Sequence, residues 1–133
     1  MIKKTITYTD YNGQERTEDF YFNFNEAEIA EMELSVNGGY SAMLDRISKA
    51  ENYPELMKAF KEFILNAYGE KSSDGKRFEK SEEKSIAFSQ TKAYSNLMME
   101  MLTKKGEAEK FANSLIPVEM RERVDESINT VGN

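Results

Sequence analysis

Carboxylates are the most plentiful groups in this chain that could do acid–base work. They cluster at Glu26, Glu28 and Glu31, at Glu82 and Glu83, and at Asp125 and Glu126. A general acid needs a buried carboxyl whose pKa is raised. These side chains lie in polar runs and at expected helix starts, where a solvated carboxylate facing the positive end of a helix is the ordinary role. Asp74-Gly75 has the look of part of a calcium loop. No ladder of Asp or Asn at alternate positions precedes it, and no Glu follows at the twelfth place of such a loop. Serines are frequent, but none sits in G-x-S-x-G, and there is no His to activate one. Asn37-Gly38-Gly39-Tyr40 holds the one adjacent Gly pair and lacks the Lys-Ser/Thr of a phosphate-binding loop, so it reads as a helix break. His, Cys and Trp are absent from all 133 residues. The commonest metal ligands, the commonest general base and the thiol nucleophile are therefore missing. The sequence predicts no catalytic residue, no metal site and no cofactor, and favours a protein that binds other proteins over an enzyme.

Methionine carries the binding signal. Met98-Met99-Glu100-Met101 is dense for a helix, and Met suits surfaces that hold irregular or multiple apolar partners. On a 3.6-residue period Met99 points away from the stripe of Tyr94, Leu97, Met98 and Met101. Two readings stand: a core helix with one exposed Met, or a groove that grips a partner helix. The candidate partner-binding residues are Met98, Met99, Met101, Leu102 and Phe111.

The elements that must position these residues begin with a hairpin over 2–24. Ile2, Ile6 and Tyr8, and then Phe20, Phe22 and Phe24, fall on even positions, with the β-branched Thr5, Thr7 and Thr9 between the first set. A two-residue Asn12-Gly13 turn would pair even positions with odd ones. A three-residue loop closed by a left-handed Gly13 pairs even with even, and Asp10 suits the first place of a type I turn. The bulged three-residue loop is therefore predicted. The phenylalanine-rich strand leaves an edge that is either packed on the third helix or added to a strand of another copy.

Asn25 and Glu28 have the spacing of a capping box, so a helix is expected over about 26 to 35, although Met32, Leu34 and Val36 also alternate as in a strand. Gly38-Gly39 ends it. A second helix runs from about Tyr40 to Ala50 with Tyr40, Met43, Leu44 and Ile47 inward. A third starts near Pro54, buries Leu56, Phe60, Phe63, Ile64 and Ala67, with Met57 and Tyr68 flanking, and stops at Gly69. The polar stretch 70–80, with its Ser73-Asp74-Gly75 turn signal, is a mobile loop or a second short hairpin. Ser81 caps a short helix anchored by Ile86 and Phe88. Thr91 caps the next, over about 92 to 104, which carries the methionines. Glu107 to Leu115 forms another with Ala108, Phe111, Ala112 and Leu115 inward. Pro117 interrupts, and Met120, Val124 and Ile128 make a thin stripe among charges that could order on a partner.

The fold class expected is α+β, mostly helical: an N-terminal β-hairpin packed on a bundle of about five to six short helices. One compact domain over 1–117 (hairpin 2–24, helical part 25–117) is followed by a polar, flexible tail over 118–133. At this length folding buries roughly two-thirds of the unfolded chain's surface. Acidic residues outnumber basic ones 24 to 18, for a formal charge of −6. That balance disfavours nucleic acid, whose binding rests on Lys and Arg. It either keeps the protein soluble or suits a partner with basic segments. The apolar run of a signal peptide and the ~20-residue apolar stretch of a membrane span are both missing. Zero Cys fits a reducing cytoplasm.

In pattern and order, several stretches resemble the tail assembly chaperones of long-tailed phages and prophages of Gram-positive bacteria. They are Thr5 to Phe24 with Asp10-Tyr11-Asn12-Gly13, Asn25 through Glu31, Gly38-Gly39-Tyr40, Ala67-Tyr68-Gly69-Glu70-Lys71, Asp74 through Phe78, Phe88-Ser89-Gln90-Thr91, and Phe111 through Pro117. The resemblance covers most of residues 3–117 and contains no catalytic signature. It implies a non-structural protein of the host bacterial cytoplasm. Such a protein coats the aggregation-prone tape measure protein, helps recruit tail tube subunits, and leaves before the virion matures. It also implies either many copies bound along an extended chain or self-association, and a longer product made by ribosomal frameshifting near the end of the reading frame. A holdase of this kind needs no cofactor. The alternative is a small acidic adaptor or inhibitor that binds one folded host protein as a monomer.

Overall fold

A computed structural model describes residues 1–34 and 39–131. The chain opens with a hairpin of β1 (Ile2–Thr9) and β2 (Glu15–Phe22). Its register pairs Ile2 with Phe22, Lys4 with Phe20, Ile6 with Glu18 and Tyr8 with Arg16, even with even. Gly13 makes this possible. It sits at φ +80°, and its N–H donates to Asp10 O at 3.0 Å while Asp10 N–H donates to Gln14 O at 2.8 Å. The loop is thus the three-residue form that the residue pattern predicts. Asp10 seals it by accepting from the N–H groups of Asn12 and Gln14, each at 2.9 Å, and from Arg16 Nε at 2.6 Å.

Helix α1 (Glu26–Glu33) starts on the expected capping box: Asn25 Oδ1 accepts from Glu28 N–H at 2.8 Å, and Glu28 Oε1 accepts from Asn25 N–H at 3.1 Å. The other oxygen of Glu28 accepts from Lys80 Nζ at 2.6 Å. Burial pulls the Lys80 pKa down, and the Glu28 contact only partly restores it. The Lys80 ammonium also sits 4.6 Å from the centre of the Phe24 ring. Positions 35, 36 and 38, invoked above for the end of this helix, lie outside the described residues. Helix α2 (Gly39–Ser48) follows, then α3 (Tyr53–Ala67), capped by Asn52, whose side chain accepts from Glu55 N–H at 3.0 Å.

The stretch after α3 resolves as the second hairpin. Strands β3 (Tyr68–Lys71) and β4 (Phe78–Glu79) pair with each other, and β3 also pairs with β2 through Tyr21–Gly69 and Phe22–Tyr68. The result is one antiparallel sheet in the order β1-β2-β3-β4. Helices α4 (Glu82–Ser89), α5 (Lys92–Thr103), α6 (Glu107–Leu115) and α7 (Val118–Val131) complete the chain. The architecture is α+β and mostly helical, a hairpin-bearing sheet on a layer of helices, as expected.

The core lies between these layers. Phe22 is fully buried and meets Tyr68, Phe88 and Phe111 at ring distances of 5.9, 5.7 and 5.6 Å. Tyr68 stacks flat on Phe88 at 4.2 Å. Phe60, Phe63 and Ile64 from α3 and Leu97, Met98 and Met101 from α5 close the middle. The outer edge of β1 is flanked by α5: Asn96 Nδ2 donates to Thr7 O at 3.3 Å, and Glu100 faces Lys4 at 3.7 Å. The far edge, β4, is only two residues long. Both are ways of blunting a sheet edge.

Candidate functional site

Seven large apolar side chains are exposed among the described residues: Met1, Tyr11, Leu34, Tyr53, Met57, Ile86 and Met99. Four of them gather at two grooves beside the seam where α3 crosses α5. The larger groove, about 710 Å³, lies between the α2–α3 turn and the α5–α6 turn. Its apolar wall is Ile47, Tyr53, Leu56, Met101 and Leu102, and its rim carries Glu51, Lys104, Lys105 and Glu109. The smaller, about 250 Å³, is lined by Tyr11 from the hairpin tip, Met57 from α3, and Tyr94, Met98 and Met99 from α5.

Local chemistry explains the placement. Thr91 Oγ1 accepts from Tyr94 N–H at 3.1 Å and donates to Phe88 O at 2.8 Å, which fixes where α5 begins. Lys92, Asn96 and Glu100, four residues apart, then tie one stripe of α5 to the hairpin, with the Lys92 ammonium 5.3 Å from the Tyr11 ring centre. Ala93, Leu97 and Met101 form the core stripe. Met99, two positions beyond Leu97, is left on the outer face with 53% of its surface exposed. On α3 the Asn52 cap puts Tyr53 at the first helical position, and Met57 follows one turn later on the same side.

The five residues singled out in the sequence separate by depth. Met98 and Met101 are each 2% exposed and Phe111 is 7% exposed. Phe111 packs its ring on Phe22 and Phe60. Met99 and Leu102 face the grooves, and Met98 and Met101 form groove floors. Tyr11, Tyr53 and Met57 complete the exposed surface. Met57 and Tyr53 continue the Phe60–Ile64 face at helical spacing (53, 57, 60, 64), so periodicity alone reads them as core, and their exposure comes from their place in the first turns of α3. Tyr11 carried no local signal, since only the tertiary fold brings the hairpin tip to α5.

The clearest pKa shift among the described groups serves the fold. Burial, with Glu70 beside it, pushes the Tyr68 hydroxyl up to about 12. Among the described residues no group of three or more His, Cys, Asp or Glu is placed to hold a metal ion, and no helix is long and apolar enough to cross a membrane.

Fold and surface together define a small, mostly helical α+β protein whose distinctive exposed feature is a pair of Met- and Tyr-lined grooves. The chain belongs to the phage tail assembly chaperones: the family model so described matches residues 1–131. No curated protein and no solved structure matches it significantly.

Proposed function

We propose that this chaperone acts in the host bacterial cytoplasm by binding the tape measure protein of its phage, keeping that chain soluble, and helping to recruit tail tube subunits. It does so by reversible protein–protein contact, without catalysis. The observation that supports this reading is the α3–α5 seam. Tyr53, Met57 and Met99 are exposed there beside the half-buried Leu102. A holdase must accept many different apolar helix faces in turn, and flexible methionines over a firm core supply a surface that re-forms around each. Met99 and Leu102 are assigned to contact the partner, with Met98 and Met101 as the floor beneath them. Phe111 lines neither groove and packs in the core on Phe22 and Phe60.

Co-expression with the tape measure protein of the same genome, followed by size exclusion with light scattering, tests the reading. The expected product is a soluble complex with many copies of this chain per tape measure. The double variant Met57→Glu/Met99→Glu changes only exposed side chains, so its melting temperature is expected to stay near that of the parent while the tape measure returns to the pellet. A tape measure that stays insoluble beside the unaltered protein, with the protein eluting alone as a monomer, would overturn the reading in favour of an adaptor for one folded host protein.

A further inference from the structure

The hairpin tip carries an exposed Asn-Gly pair, Asn12-Gly13, directly after the groove-lining Tyr11. In such a pair the backbone nitrogen that follows the Asn is open to reaction with the Asn side chain, because glycine has no Cβ to shield it. A Cβ built at Gly13 would meet nothing within 4 Å, so nothing else in the fold shields it either. What restrains the pair is Asp10. Three successive amides converge on that residue. Gly13 N–H donates to its carbonyl oxygen at 3.0 Å, and the N–H groups of Asn12 and Gln14 donate to its Oδ1 at 2.9 Å each. The proton that Gly13 must give up before its nitrogen can attack is thus committed to the turn. On the other side of Asn12, Tyr11 lines the smaller groove with Met57, Met98 and Met99, and the Lys92 ammonium lies 5.3 Å from the centre of its ring. The shape of the turn therefore decides where Tyr11 stands.

We propose that Asn12-Gly13 is a self-modification site, a deamidation switch latched by Asp10, and that its reaction withdraws Tyr11 from the smaller groove. Local opening of the turn gates the chemistry. The freed Gly13 nitrogen attacks Asn12 Cγ. A C–N bond forms, the Cγ–Nδ2 bond breaks, and the departing nitrogen takes up the proton lost by Gly13 and leaves as ammonia. Water then opens the cyclic imide. Hydrolysis at Cγ leaves an aspartate at position 12. Hydrolysis at the main-chain carbonyl leaves an isoaspartate, whose backbone runs through Cβ and Cγ and is longer by one carbon atom. Both products set a new carboxylate beside that of Asp10. Glu15 and Glu18 already make this tip negative, and Arg16, 2.6 Å from Asp10 Oδ2, and Lys92 are the cations facing it. The isoaspartate acts on the backbone as well. The three-residue loop sets the even-with-even register, with Gly13 at φ +80° and its N–H on Asp10 O. An extra backbone atom inside that loop breaks this geometry, and Tyr11 leaves its place with it. The modification itself is independent of what the grooves hold; its effect on holding rests on the α3–α5 reading above.

The sequence allows a clean test. Full-length protein is aged in warm neutral buffer and digested with trypsin. The peptide Thr5–Arg16 carries Asn12, and the other Asn-Gly pair, Asn37-Gly38, falls in the separate peptide Thr17–Arg46. Conversion is read as the mass gain from amide to acid and the split into aspartate and isoaspartate peaks. A synthetic Thr5–Arg16 peptide gives the rate without the fold. The folded protein is expected to convert several-fold more slowly than the peptide, and Asp10→Ala to speed it several-fold. Arg16→Gln, which removes only the outer bond to the Asp10 carboxylate, should give a smaller rise in the same direction. Converted chains are then separated by anion exchange on their added negative charge. With methyl-labelled methionine, their Met57 and Met99 NMR signals should move while that of Met101 stays. Equal rates in the folded protein, both variants and the peptide would overturn the proposal, since the turn is then no latch. So would an Asp10→Ala chain that does not convert while the peptide does, or converted chains whose Met57 and Met99 signals are unmoved. Failure of the unconverted protein to hold the tape measure would instead strike the α3–α5 reading, and leaves these readouts as they are.

Discussion

At the scale of single residues, the hairpin turn hangs on Asp10. Its carboxylate accepts from two backbone N–H groups and from Arg16, and the Arg16 bond is the main reason its pKa falls below the ordinary carboxylate range. A carboxyl with a depressed folded pKa adds stability above its ordinary range and loses it as pH falls through the folded value. The hairpin amides from Asp10 to Arg16 are therefore expected to lose exchange protection in acid before the core does, and Asp10→Ala should remove that early step by loosening the turn at every pH. Amide hydrogen exchange read by NMR checks this, and identical acid profiles in the two proteins would refute it. Tyr68 has the opposite sign. Its hydroxyl titrates at about 12 rather than 10.0, chiefly through burial, so its contribution is present below pH 10.0 and lost as pH rises towards 12. Tyr68→Phe keeps the ring stacked on Phe88 and has no proton to lose. Its alkaline unfolding midpoint, followed by circular dichroism, should move to higher pH. The rise is expected to be partial, because burial also lifts the Tyr94 hydroxyl in the same direction.

At the scale of elements, β3 shows what a sequence conveys and what it withholds. Gly69 reads as a helix stop, and α3 does end at Ala67. The same glycine is also a strand residue crossed by the Phe78 ring: a Cβ there would lie 2.5 Å from that ring and 2.9 Å from the Glu79 carbonyl oxygen. Gly69→Ala should force ring and strand apart, at a cost of about 1–3 kcal/mol typical of overpacking. A fall in the urea midpoint measures it, and an unchanged midpoint would mean that β4 shifts freely. Locally encoded features were legible in the residues. The Gly13 loop, the Asn25–Glu28 box, the Thr91 cap and the inward stripes of α3, α5 and α6 each rest on neighbours within a few positions. The pairing of Tyr68 and Gly69 with β2 links residues 46 to 48 apart and leaves no periodic trace. For that reason the stretch 70–80 stayed open between loop and hairpin. The candidate site divides the same way. Met99 betrayed itself by lying off its helix stripe, whereas Tyr11 joins it only because the polar stripe Lys92, Asn96 and Glu100 docks on the hairpin, and such a stripe viewed alone looks like a solvated face.

For the whole molecule, the question is how far the fold depends on its last helix. The aromatic cluster, the sheet and α3 to α6 are complete at Ile116, and of the described residues beyond it only Val124 joins the buried set. Among the described side chains, removing α7 takes away one buried Val, worth about 1.5–3 kcal/mol, together with parts of Met120 and Ile128. The loss is offset by the entropy of fourteen helical residues that no longer need ordering. A chain ending at Pro117 is accordingly expected to fold, to melt cooperatively, and to do so several degrees below the full-length protein. Differential scanning calorimetry gives the result directly: a broad transition with dye-binding apolar surface at room temperature would show that α7 belongs to the core. The same truncation tests where the partner is held. It leaves both grooves intact, so solubilisation of the tape measure should persist if the α3–α5 seam is the holding surface. A truncated protein that still folds but leaves the tape measure in the pellet would move the holding surface off the α3–α5 seam and onto the α1–α7 side of the molecule.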